Sequence, residues 1–159
     1  MATTMADRAR EVLALERIAL VGVARAEQDF SRMVLRELLR RGLDVAPVNP
    51  ALAEAEGRRC FARVQDVTPP VAGVLVMTPA ARSADVVRDC VAAGVRHVWF
   101  HRGAGRGAAS PEAIALCRAS GIEPVTGLCP FMVLPAAGFI HRVHALVRGA
   151  RKVRIPEPV

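Results

Sequence analysis

The chain has 159 residues, a formal net charge of +7 and a sequence pI of about 10.8. With 52% hydrophobic and 23% charged residues it can bury one core of ordinary size, which excludes disorder over most of its length. No apolar run reaches the ~18 residues of a membrane span, and the first residues mix acids and bases where a secretory signal would be apolar, so a cytoplasmic protein is expected.

Strands and helices alternate along the chain. Leu13 and Leu15 sit on a short lead-in helix, and Ile18 to Val21 is a continuous apolar run that reads as a buried strand ending in Gly22. Ser31 is the expected N-cap of a helix over 31–41, with Val34, Leu35, Leu38 and Leu39 as its apolar face and Gly42 as its stop. The run LDVAPV is a second strand, stopped by Asn49-Pro50, and AGVLVMTP a third, ending in Thr78-Pro79. Ser83 is expected to cap the next helix, which Gly94 closes; RHVWF is the fourth strand. Ser110 and Pro111 open a further helix, IEPVTG is the fifth strand, and a last amphipathic helix is expected over 136–149. Residues 1–150 read as a single domain and 151–159 as a flexible tail.

Strands apolar on both faces, separated by helices, imply a mainly parallel sheet covered on both sides. Right-handed crossovers then give an α/β, doubly wound, Rossmann-like sheet of about five strands with an extra C-terminal helix. Ligands of such sheets sit beyond the carboxyl ends of the strands, so the residues following each strand are the ones to weigh. Gly22, Val23, Ala24 and Arg25 follow the first strand: a turn glycine, two small residues and a guanidinium, with N–H groups at the next helix start that can take a phosphate. Arg32 lies one turn into that helix, at the head of a stripe with Arg36 and Arg40 that otherwise reads as a solvated face. Val48, Asn49 and Pro50 end the second strand, where an NAD site would carry an acid. The absent acid and the absent second and third glycines both argue against NAD. Gly103, Gly105 and Gly107 lack phosphate-loop spacing and read as a mobile loop, from which His101, Arg102 and Arg106 could reach a ligand.

The segments RIALVGVAR, LDVAPVNP, AGVLVMTP, RHVWF and Cys129-Pro130 occur in an order and spacing that resemble the stand-alone bacterial CoA-binding domain proteins. Those are similar in turn to the CoA-binding domain of the succinyl-CoA synthetase alpha chain. The resemblance implies a domain binding coenzyme A or an acyl-CoA. Gly22, Val23, Ala24 and Arg25 would meet the CoA phosphates, Val48, Asn49 and Pro50 would flank the nucleotide, and Thr78 and Pro79 would close the site. The family often carries Ser where this chain has Ala24, and it commonly ends soon after its Cys-Pro turn, whereas this chain continues.

Chemistry beyond binding has little support in the sequence. Cys60, Cys90, Cys117 and Cys129 form no C-x-x-C pair, which argues against disulfides and a zinc site. Cys129 lies near the ligand end but has no identifiable base. His141 and His144 have helical metal spacing without a third ligand, and His97 reads as core. No catalytic residue and no metal site are assigned. Three other readings stay open: an NAD(P)-dependent oxidoreductase, a regulatory or interaction domain with a vestigial nucleotide site that binds a partner, or a second copy of itself, through its C-terminal helix, and a nucleic-acid binder. Only 4% aromatic residues and no Tyr weigh against the last.

Overall fold

The structure is a computed structural model that describes residues 1–102 and 105–135. It has the expected parallel sheet: β1 (Ile18–Val21), β2 (Val45–Val48), β5 (Gly73–Val76), β6 (His97–His101) and β7 (Val125–Leu128), in the spatial order β2-β1-β5-β6-β7 and parallel throughout. The order reverses between β1 and β5, because the chain first moves outward to β2 and then returns to the other side of β1. In-register pairing sets Val21 beside both Val48 and Val76, so three strands end level with one another.

Every residue of β1, β2 and β5 is buried, as strands covered on both faces require. Alternate residues feed two cores. Ile18, Leu20, Val45, Leu75 and Trp99 pack under α1 (Met5–Leu13) and α2 (Phe30–Arg40). Ala19, Val21, Val48, Val74, Val76 and Phe100 pack under α3 (Ala80–Ala92) and α4 (Pro111–Ala119). Helix α2 therefore crosses on one face and α3 and α4 on the other, which is the doubly wound arrangement. Among the described residues, no helix is long and apolar enough to cross a membrane.

Two expected caps move. Asp29, not Ser31, caps α2: its carboxylate accepts from the Ser31 N–H at 2.8 Å and from the Ser31 hydroxyl at 2.5 Å. A carboxylate is the stronger acceptor for the orphan N–H groups, and Ser31 is thereby turned into the first turn and buried. Helix α3 starts at Ala80, three residues ahead of the expected cap, so Ser83 lies inside the helix with its hydroxyl on the Pro79 carbonyl at 3.4 Å. Gly42 and Gly94 do follow α2 and α3 in left-handed backbone, and Ser110 caps α4.

The segment between β2 and β5 carries a small hairpin, β3 (Glu54–Ala55) and β4 (Arg58–Arg59), and a 3-10 turn at Val64–Asp66. A four-residue helix α5 (Pro130–Val133) follows Cys129. His101 is the last residue of β6 and not part of the loop, because the strand runs one residue further than its apolar stretch. The expected helix over 136–149, with His141 and His144, and Gly103 lie outside the described residues.

Candidate functional site

Gly22 decides how the strand ends meet. Its φ is +96°, and a Cβ on it would fall 2.7 Å from the Thr78 nitrogen and 2.8 Å from the Met77 carbonyl carbon. The turn after β1 thus lies directly on the backbone leaving β5, a contact closed to any side chain. The Gly22 N–H donates to Val48 O at 3.1 Å, and the Met77 N–H donates to Val21 O at 2.8 Å. Asn49 completes the junction. Its amide Nδ2 donates to Val23 O at 2.7 Å, and its Oδ1 accepts from the Ala51 N–H at 2.7 Å. These two bonds orient the side chain and leave one amide hydrogen and one oxygen lone pair for a ligand.

This junction floors a cleft of about 600 Å³, within the ~300–1,000 Å³ of small-ligand sites. Gly22, Val23, Ala24, Val48, Asn49, Pro50, Thr78 and Pro79 all line it, so turns 24 or more residues apart in sequence are brought together. Arg25 and Arg32 line a neighbouring groove instead. Arg32 is 7% exposed and committed to the protein: Nε donates to Glu56 Oε1 at 2.9 Å, and Nη1 donates to Ala24 O and Arg25 O at 3.2 Å each. It holds the carbonyl side of the first turn. The Ala24 N–H donates to Ser31 Oγ at 2.9 Å, and the Asp29 carboxylate caps α2. The helix start offered to phosphate in the sequence is closed by the chain's own acceptors.

The cleft also contains side chains that sequence reasoning did not single out. Arg82, Asp85, Val86 and Asp89 come from one face of α3, and Ala62, Arg63 and Val64 from the segment after β4. Arg82 could have been found by following the chain one turn past Thr78-Pro79. Arg63 could not, because the hairpin that carries it to the cleft leaves only a two-residue strand signature. The Thr78 hydroxyl is 3.1 Å from that of Ser83.

All four thiols are buried, and burial pushes each of them up. Cys117, which also feels Glu123, reaches about 11. These are poor nucleophiles near neutrality. Burial lowers the His101 pKa, its ring packs on Phe30 at 5.4 Å between centroids, and its Nε2 has no hydrogen-bond partner among the described residues. His97 is half-buried at the other end of β6. Among the described residues, no group of three His, Cys, Asp or Glu could hold a metal ion.

A five-stranded parallel sheet, helices on both faces and a cleft at the point where strand order reverses define a Rossmann-like α/β domain. Residues 16–135 match the model of the CoA binding domain, and the chain belongs to that family. Solved structures agree. A hypothetical protein from Pyrococcus horikoshii is 28% identical with a TM-score of 0.71, over 79% of this chain and 86% of that one. A conserved hypothetical protein from Pyrococcus furiosus is 31% identical with a TM-score of 0.65, over 72% and 95%. The dinucleotide-forming acetyl-coenzyme A synthetase 1 of Ca. Korarchaeum cryptofilum, in complex with phosphate and ADP, is 27% identical with a TM-score of 0.62; the match covers 71% of this chain but 25% of that one.

Proposed function

We propose that this protein binds coenzyme A, free or acylated, in the cleft above β1, β2 and β5. The observation that carries the reading is the convergence of three strand-end turns on one cleft at the sheet's switch point, in a chain of the CoA binding domain family. The residues present fit such a ligand. Gly22 leaves a floor of bare backbone, the exposed Pro50 and the edge of Val86 offer apolar surface to a base, and Arg63 and Arg82 offer guanidinium groups to phosphate. The end of β2 presents an amide that is already bonded to the protein, where an NAD site would present a carboxylate to the ribose hydroxyls. Binding without turnover is the simplest form of the reading, since the thiols on hand are buried and held protonated.

A ligand that binds only the folded state adds about 2.7 kcal/mol at 100 times its Kd, which for a chain of this size raises Tm by roughly 5–11 °C. A thermal-shift panel with CoA, acetyl-CoA, NAD and NADP is therefore expected to respond to the first two. No shift with millimolar CoA rejects the reading, and a shift with NAD or NADP alone favours the oxidoreductase.

A further inference from the structure

We infer that Arg63 and Arg82 form the phosphate reader of the cleft and make it selective for a ligand carrying a phosphomonoester on its ribose. The inference rests on the CoA reading and goes beyond it by naming the group recognised and the residues that recognise it. Among the described residues, four ionisable side chains line the cleft: Arg63, Arg82, Asp85 and Asp89. Both carboxylates are already answered. Asp85 accepts from Arg88 Nη1 at 2.7 Å. Asp89 accepts from Arg63 Nη2 at 2.5 Å and Nε at 3.3 Å, and also from Gln65 Nε2 at 3.3 Å. Arg82 has no ion-pair partner among the described residues, so its charge is open to a ligand.

Arg63 is oriented and not exhausted by Asp89. The two-point contact uses Nε and Nη2 and leaves Nη1 uncommitted. Gln65 would keep Asp89 satisfied if Arg63 turned further toward a ligand, so no buried carboxylate is stranded by the exchange. Two planar guanidinium forks suit a phosphomonoester, which carries nearly two charges at neutral pH and three acceptor oxygens. The first turn is a weaker alternative for the same group. Its Ala24 N–H is taken by Ser31, its carbonyls are taken by Arg32, and Asp29 stands at the start of α2.

Titration calorimetry of the full chain with CoA and with 3′-dephospho-CoA tests this, using wild type, Arg63→Gln and Arg82→Gln. Both side chains are exposed, and circular dichroism checks that each variant is folded. Wild type is expected to bind CoA about tenfold or more tightly than the dephospho form, as a charge-assisted pair of contacts implies. Each variant is expected to lower that ratio, with CoA affinity falling more than dephospho-CoA affinity. A wild type that binds both ligands equally overturns the inference and leaves the CoA reading standing. An equal loss for both ligands in the variants also overturns it, because the arginines would then hold the diphosphate. A wild type that binds neither ligand removes both.

Discussion

At residue 22 the absence of a side chain lets two backbones touch. Gly22→Ala would place a methyl 2.7 Å from the Thr78 nitrogen in left-handed backbone. Left-handed strain of ~1–2 kcal/mol and overpacking of ~1–3 kcal/mol add to a loss of about 2–5 kcal/mol, a Tm lower by roughly 4–20 °C. Thermal melting followed by the single Trp99, fully buried under α1 and α2, reads this directly. Asn49 acts through a pair of hydrogen bonds. Asn49→Asp keeps the acceptor toward the Ala51 N–H but sets a carboxylate oxygen against Val23 O in place of a donor. The expected cost is about 1–3 kcal/mol, with weaker CoA binding in the same calorimetric assay; a variant as stable as wild type would show that the amide does not hold the junction. Gly22 was legible from its place between an apolar run and a helix. The reach of Asn49 back to Val23, 26 residues away, was not, since sequence gives the turn but not what crosses it.

At the scale of elements, the hairpin β3–β4 is tied to the first turn through one carboxylate. Glu56 sits in the hairpin turn at φ +51°, followed by Gly57 at φ +74°, the pair of left-handed residues that a two-residue hairpin needs. A Glu there is unusual, and its carboxylate explains it: Oε1 accepts from Arg32 Nε at 2.9 Å, and Oε2 from Arg36 Nε at 2.9 Å. The Arg32, Arg36, Arg40 stripe is thus largely an ion-pair face, Arg40 being bonded to Glu37 at 2.6 Å. The Arg36 contact and then the Arg32 contact hold the Glu56 pKa below its usual 4.5, against burial. Because the folded value is the lower one, the stabilisation is complete above about pH 4.5 and is lost as pH falls through the depressed value. Glu37 acts in the same direction through Arg40. Urea unfolding between pH 7 and pH 3 should therefore show stability falling with acid, and Glu56→Gln should flatten that slope while costing ~1–3 kcal/mol at pH 7, a buried-pair loss reduced for partial exposure. An unchanged slope would mean that the tie is not formed in solution. None of this was legible in the sequence: Glu56 is one acid among several near residue 50, and its partners lie more than five helical turns of chain away.

For the molecule as a whole, one sheet serves two cores. Trp99 belongs to the core under α1 and α2, whereas Cys90 and Cys117 belong to the core under α3 and α4. Strands β1, β2, β5 and β6 each contribute alternate side chains to both, so neither face can come apart without exposing the other. Unfolding in urea is expected to give one transition, with the Trp99 fluorescence midpoint coinciding with that of thiol exposure to an aromatic disulfide reagent. Before that midpoint the buried thiols should react slowly, given how far burial raises them. Separate midpoints would show that the two faces unfold independently.

The sequence by itself determined the sheet. Apolar runs of four to six residues, set between glycine-stopped amphipathic helices, have few ways to bury both faces, and a parallel doubly wound sheet is the one that satisfies them. It also pointed to the carboxyl ends of the strands as the place to look for a ligand, because such sheets bind beyond those ends whatever their loops contain. Tertiary structure alone decided which charges face that place. Arg32 looked like a ligand residue and is bonded to the carbonyls of its own loop and to Glu56, while Arg63 and Arg82 line the cleft from a hairpin exit and a helix face. The reason is physical: backbone periodicity is local and is written in neighbouring residues, whereas the destination of a long charged side chain depends on carboxylates and carbonyls that folding brings to it from elsewhere in the chain.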